Sequence, residues 1–136
     1  MNVIILGCGR LGAQLAQMLD KQKHAVTIID RNSDSFNRLG PDFAGAMILG
    51  VGIDEDVLRH AGIEQADAFI AATNGDNTNA MAAEIARMVF HVPKVIARLY
   101  DPVREETFRA FGTFDTVCPT VLSADRITEM LKNGKR

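Results

Sequence analysis

Gly7, Cys8, Gly9, Arg10, Leu11 and Gly12 form a GxGxxG run, and Asp30 follows Gly12 at a distance of 18 residues. Glycines at this spacing suit a pyrophosphate. The first allows a tight turn, the second leaves no Cβ between backbone N–H groups and phosphate, and the third lets the next helix pack closely on the preceding strand. An acidic side chain about 20 residues further on can accept hydrogen bonds from an adenosine ribose. A carboxylate there repels a 2′-phosphate and favours NAD over NADP, while Arg31 beside it can soften that preference or stack on adenine. The bare pattern is weak; its position, straight after an apolar β-branched run and at the opening of a helical one, strengthens it. The alternative is a plain strand-to-helix turn with an acidic residue at a helix start. Thr73, Asn74 and Asp76, and further on Arg98 and Asp101, fall at the ends of later apolar runs, where ligands of open parallel sheets gather. Arg98 suits a phosphate or an interface, whereas Asp76, Asn77 and Thr78 read first as helix caps.

These residues need a scaffold in which strands and helices alternate, and the hydrophobic pattern supplies one. Strands are predicted at Asn2–Leu6, 25–29, 46–51, 66–72, 95–99 and 114–117, with helices at 10–22, Ser33–Leu39, 54–61, 77–90, 103–111 and 119–131. This is a Rossmann-like α/β fold, a doubly wound parallel six-stranded sheet with one additional C-terminal crossover helix. The first helix is expected to bury Leu11, Leu15, Met18 and Leu19, and the helix at 77–90 to bury Met81, Ile85, Met88 and Val89. Residues 133–136 read as a frayed end. The division expected is a nucleotide-binding domain at 1–118 and a crossover or dimerisation helix with its tail at 119–136.

Composition narrows the function. Fifteen Lys and Arg against seventeen Asp and Glu leave a net charge of −2, which supplies no cationic face for nucleic acid. No apolar run approaches the roughly 18 residues that cross a bilayer. Two cysteines, Cys8 and Cys118, make neither a disulfide framework nor a metal site, so no metal is expected. Hydride-transfer enzymes place an acid or base against the nicotinamide. Here His24, His60 and His91 fall in turns or at a helix end, and Tyr100 is followed at the Tyr-x-x-x-Lys distance by Arg104. No catalytic residues are assigned, and a bound cofactor would act as a signal.

The segments IILGCGRLG, IIDRN, LRHAGIEQADAFIAATNGDNTN, IARLYDP and CPTVLSADRI, in that order and spacing, resemble the N-terminal domain of regulators of K⁺ conductance, also called the KTN or TrkA-N domain. The resemblance covers residues 2–131. It implies a lobe that binds NAD(H), or ATP and ADP, over Gly7 to Gly12 and at Asp30, with Arg10 at the loop position whose side chain reaches phosphates, including those of a neighbouring subunit. It implies that the segment after Cys118 packs on a partner protomer. Members commonly have Gly-Asp after the third strand where this chain has Gly50 and Val51, so Val51 is nominated at that place in the cofactor site without the side-chain hydrogen bond to adenine. The smaller C-terminal lobe of many members is expected to be absent from this chain, and its ligands are not carried over either.

The function expected is a nucleotide-sensing regulatory subunit that gates a potassium uptake transporter or channel. It would be cytoplasmic, held at the inner face of the cell membrane by a membrane-embedded partner. The rivals are an NAD-dependent oxidoreductase fragment and a regulatory domain of a cation/proton antiporter. The assembly expected is a homodimer or a higher even-numbered ring, through a stripe of Val121, Ala124, Ile127, Met130 and Leu131. That stripe could instead fold back on its own sheet.

Overall fold

The computed structural model describes residues 1–134. Strands β1 (Asn2–Leu6), β2 (Ala25–Asp30), β3 (Ala46–Leu49), β4 (Ala68–Ala71), β5 (Lys94–Arg98) and β6 (Asp115–Val117) form one parallel sheet in the order β3-β2-β1-β4-β5-β6. The order reverses between β1 and β4, where the chain crosses from β3 on one side to β4 on the other. That is the switch point at which open α/β sheets hold ligands. The α/β class, the six strands and the doubly wound topology agree with the sequence reading.

Strand β1 shows why the sheet is covered twice. Val3 and Ile5 point into a core with Ala13 and Ala16 of α1 (Arg10–Lys21), whereas Ile4 and Leu6 point into a second core with Leu58 of α2 (Glu55–His60) and Ala80 and Ala83 of α3 (Asp76–Glu84). A strand buried on both faces has no polar position to spare, which accounts for its unbroken apolar run. Helix α4 (Pro102–Phe111) follows β5, capped by the Asp101 carboxylate on the Val103 N–H at 3.0 Å. Helix α5 (Pro119–Asn133) follows β6 and buries no residue.

Several boundaries and one set of faces differ from the sequence reading. Residues 33–39 wind as 3₁₀ turns, and β3 stops at Leu49, so that Gly50 and Val51 leave the sheet. Helix α3 begins at Asp76 and continues through a π turn at Ile85–Val89. Its buried side is Asn79, Ala80, Ala82, Ala83 and Ala86, while Met81, Met88 and Val89 are exposed. In α1, likewise, Gly12, Ala13 and Ala16 are buried and Met18 is exposed. Both helices lie so near the sheet that only small side chains fit beneath them, and the larger apolar residues are displaced to the flank. Helix α5 does not fold back on the sheet. It continues to Asn133 with Gly134 as a left-handed cap, so the first part of the expected fraying is absent, and Lys135 and Arg136 lie outside the described residues.

Candidate functional site

Strand register builds the site. Leu6 pairs with Ile29 and with Ala71, and Ala71 pairs with Ala97. The next residue of each strand therefore falls in one row across the sheet: Asp30, Gly7, Ala72 and Arg98. Above this row opens a cleft of about 840 Å³, lined by Gly7, Gly9, Arg10, Asp30, Arg31, Val51, Thr73, Asn74 and Arg98 among others. Of the twelve cofactor-binding candidates, which are the six residues of the glycine run with Asp30, Arg31, Val51, Thr73, Asn74 and Arg98, nine thus come together.

The three glycines occupy three different environments. Gly7 has φ +103°, and a Cβ there would lie 2.8 Å from the backbone of Ala72. A Cβ at Gly12 would lie 1.7 Å from the Gly7 carbonyl oxygen, so α1 sits directly against the end of β1. A Cβ at Gly9 would meet nothing within 4 Å, because Gly9 borders the open cleft. Gly9 is also the N-cap of α1, which has no side-chain cap and no acidic residue in its first turn. Its first N–H groups and the positive end of its dipole are left available to an anion.

Cys8, Leu11 and Gly12 do not line the cleft. Gly12 is turned against Gly7, Leu11 is half-buried in the first turn of α1, and Cys8 is wholly buried with its Sγ donating to the Ser35 carbonyl at 3.3 Å. Burial, followed by the nearby Asp30 carboxylate, pushes the Cys8 thiol up from its ordinary value against the opposing pull of Arg38. A buried protonated thiol of this kind is a packing residue.

Asp30 holds the loop as well as facing the cleft. Its Oδ2 accepts from the Cys8 N–H at 2.8 Å and its Oδ1 from the Asn32 N–H at 2.8 Å. Each oxygen keeps a second lone pair for a ligand hydroxyl. Arg38, which the sequence reading passed over, donates from Nη1 to the Cys8 carbonyl at 3.2 Å and lines the cleft. The charged lining is then Arg10, Arg31, Arg38 and Arg98 against Asp30 alone, a cationic wall within a chain of net charge −2. Val51 and Ile53 add an apolar rim where a base can lie.

Asn79 is the main residue missed. It is completely buried, with Oδ1 accepting from the Thr73 N–H (2.9 Å) and the Thr73 hydroxyl (2.6 Å), and Nδ2 donating to the carbonyls of Thr73 (3.0 Å) and Arg98 (2.8 Å). Arg98 returns bonds from Nη2 to the carbonyls of Ala72 (3.0 Å) and Thr73 (2.7 Å), and its buried Nε has no partner among the described residues. Neither Asp76, Asn77 nor Thr78 caps its own helix; Gly75 occupies that place. The Asp76 carboxylate instead accepts from the N–H groups of Tyr100 and Asp101, at 2.8 and 3.0 Å. Asp101 serves as the cap of α4 and lies outside the lining. None of the three histidines lines the cleft. Among the described residues, no helix is long and apolar enough to cross a membrane.

The sequence profile of the TrkA-N domain family matches residues 3–119. The Trk system potassium uptake protein TrkA of Streptomyces coelicolor is 47% identical over 131 residues, which are 96% of this chain and 58% of that protein. The chain thus spans little more than half the length of that relative. Among solved structures, the C-terminal domain of Shewanella denitrificans Kef in its AMP-bound form superposes with a TM-score of 0.83 at 23% identity, covering 100% of this chain and 83% of that one. The TrkA-N domain of the Escherichia coli inner membrane protein ybaL superposes with a TM-score of 0.84 at 19% identity, covering 96% of each chain. At such identities the two structures establish the shared fold.

Proposed function

The chain belongs to the TrkA-N domain family, and from that premise we propose that it is the nucleotide-binding lobe of a regulatory subunit that gates a membrane potassium transporter or channel. The observation that carries the reading is the row of strand ends beneath the cationic cleft. Uncapped α1 N–H groups with Arg10 and Arg98 receive phosphates, Asp30 receives the adenosine ribose, and Val51 with Ile53 meets the base. NAD(H), ATP or ADP fits this order of groups. Among its lining residues the cleft has no histidine, its one carboxylate is bonded to the loop, and the ring of its one phenol, Tyr100, stacks on Arg98, an arrangement that supports a sensor over an oxidoreductase. Identity of 47% to a potassium uptake protein favours a potassium transporter as the partner. In this reading the lobe lies on the cytoplasmic side, attached to the membrane through that partner.

Calorimetry with NADH, ADP and ATP tests the ligand. Asp30→Ala is expected to weaken the binding of the preferred nucleotide by about 1.5 to 3 kcal/mol, roughly 10- to 150-fold in Kd. Asp30→Asn, which keeps one acceptor oxygen, falls between the two. Equal affinity in the parent and Asp30→Ala proteins would remove the ribose from this position, and steady oxidation of NADH by the parent would overturn the sensor.

Gating needs assembly, because a lobe can act on its neighbours only through contacts that differ between its ligand states. Residues 119–136 are proposed as the contact, pairing this lobe with a second copy in a homodimer or a higher even-numbered ring. Ile127 and Leu131, 58% and 77% exposed, lie one turn apart on α5. Ile127→Asp combined with Leu131→Asp is expected to raise the dissociation constant by 100-fold or more, on the order of 3 kcal/mol for two buried aliphatic side chains. Light scattering at micromolar concentration reads the change, and a parent protein that is already monomeric there sinks the assembly.

A further inference from the structure

The cleft and α5 share one backbone group. The Tyr100 carbonyl accepts from the Cys118 thiol at 3.6 Å and from the Thr120 hydroxyl at 3.3 Å, at the first turn of α5. The rest of Tyr100 belongs to the cleft. Its ring stacks on the Arg98 guanidinium at 4.6 Å and lines the cavity, and its N–H is fixed by the Asp76 carboxylate at 2.8 Å. Arg98 grips the Ala72 and Thr73 carbonyls and precedes Tyr100 by two residues, so a movement of this arginine toward an anion pulls on the Tyr100 segment whose carbonyl holds the α5 root. Beyond Thr120 nothing in α5 is buried, and no hydrogen bond ties it to the lobe among the described residues. Within its own chain, the direction of a rod of about 22 Å is therefore set at one end. A turn of about 5° at that end moves the other by about 2 Å.

We propose that Tyr100 is a positioning residue that converts occupancy of the cleft at Arg98 into the direction of α5, through its carbonyl and the paired donors Cys118 and Thr120. The inference rests on nucleotide binding in this cleft. It adds a specific route by which the bound anion reaches the helix, with Thr120 and Cys118 outside the lining and needed for the response though not for binding.

The test uses spin labels at Glu64→Cys on the lobe and Lys132→Cys on the polar side of α5, in chain diluted with unlabelled protein; the two native cysteines are buried. The label separation is measured with and without NADH and ADP, and affinity is followed by calorimetry in parallel. In the parent, the binding nucleotide is expected to shift the separation by about 2 Å or more. The pair Cys118→Ala with Thr120→Val, which removes both donors, is expected to bind within about twofold of the parent and show no shift. Cys118→Ser with Thr120→Ser, which retains both donors, is expected to restore it. Thr120→Val alone, at an exposed position, serves if the double variant does not fold, and is expected to reduce the shift. A donor-less variant that shifts as the parent does, or a parent that binds nucleotide without any shift, overturns the route while leaving the binding site in place. A parent that binds neither nucleotide removes the binding reading itself, and the route with it.

Discussion

Gly12→Ala is expected to destabilise the protein by about 3 kcal/mol or more, while Gly9→Ala, three residues away in the same motif, changes stability by less than about 1 kcal/mol and abolishes nucleotide binding. The contrast follows from what each new methyl meets. At Gly12 it would stand 1.7 Å from the Gly7 carbonyl oxygen, so α1 must back away from β1 and open the packing of Ala13 and Ala16 beneath it. At Gly9 it enters open space, in the volume a phosphate would use. Urea unfolding separates the two. A lowered midpoint for Gly12→Ala alone, with lost binding for Gly9→Ala in a fold of parental stability, is the expected pair of results. A Gly12→Ala protein as stable as the parent would show that α1 does not dock on the end of β1 as described.

The second large effect is at Asn79. Asn79→Leu keeps the volume but strands the Thr73 N–H and the Arg98 carbonyl and takes from the Thr73 hydroxyl its nearest acceptor. At 1 to 3 kcal/mol for each unsatisfied group, a loss of about 3 kcal/mol is expected. Amide exchange at Thr73 should rise by orders of magnitude, and nucleotide affinity should fall because Arg98 loses the fixed carbonyl frame that holds it. A loss below about 1 kcal/mol with unchanged exchange at Thr73 would show that the clamp contributes little.

The sequence reading succeeded where cause and effect are close along the chain. The unbroken apolar run of β1, the glycines that follow it and the acidic end of β2 are local or depend on one crossover, and each limits residue type tightly enough to be seen. Asn79 was invisible for the opposite reason. It lies in a run of helix-capping residues, and its role depends on Arg98, 19 positions later, being brought beside it by the pairing of β4 with β5. Asp76 was misread in the same way, because the N–H groups it serves belong to Tyr100 and Asp101. The misplaced faces of α1 and α3 have another cause. Hydropathy ranks methionine and leucine above alanine, but separation from the sheet decides which of them can lie underneath, and close approach selects alanine.

Helix α5 raises a question of folding as well as of contact. An isolated helix of 15 residues is marginal in water. With no burial on its own lobe, this one is held wound by the proline at its start, the bonds of Cys118 and Thr120 to the Tyr100 carbonyl, the Arg126–Glu129 ion pair, the left-handed glycine at Gly134 and its intrinsic propensity. Where a second chain covers its apolar stripe, winding and pairing become a single equilibrium, and the helical content of each molecule rises with total protein concentration. A scarce protein would then carry a partly unwound arm, and an abundant one a rigid arm. How much of the protein a cell makes would enter its response alongside the nucleotide.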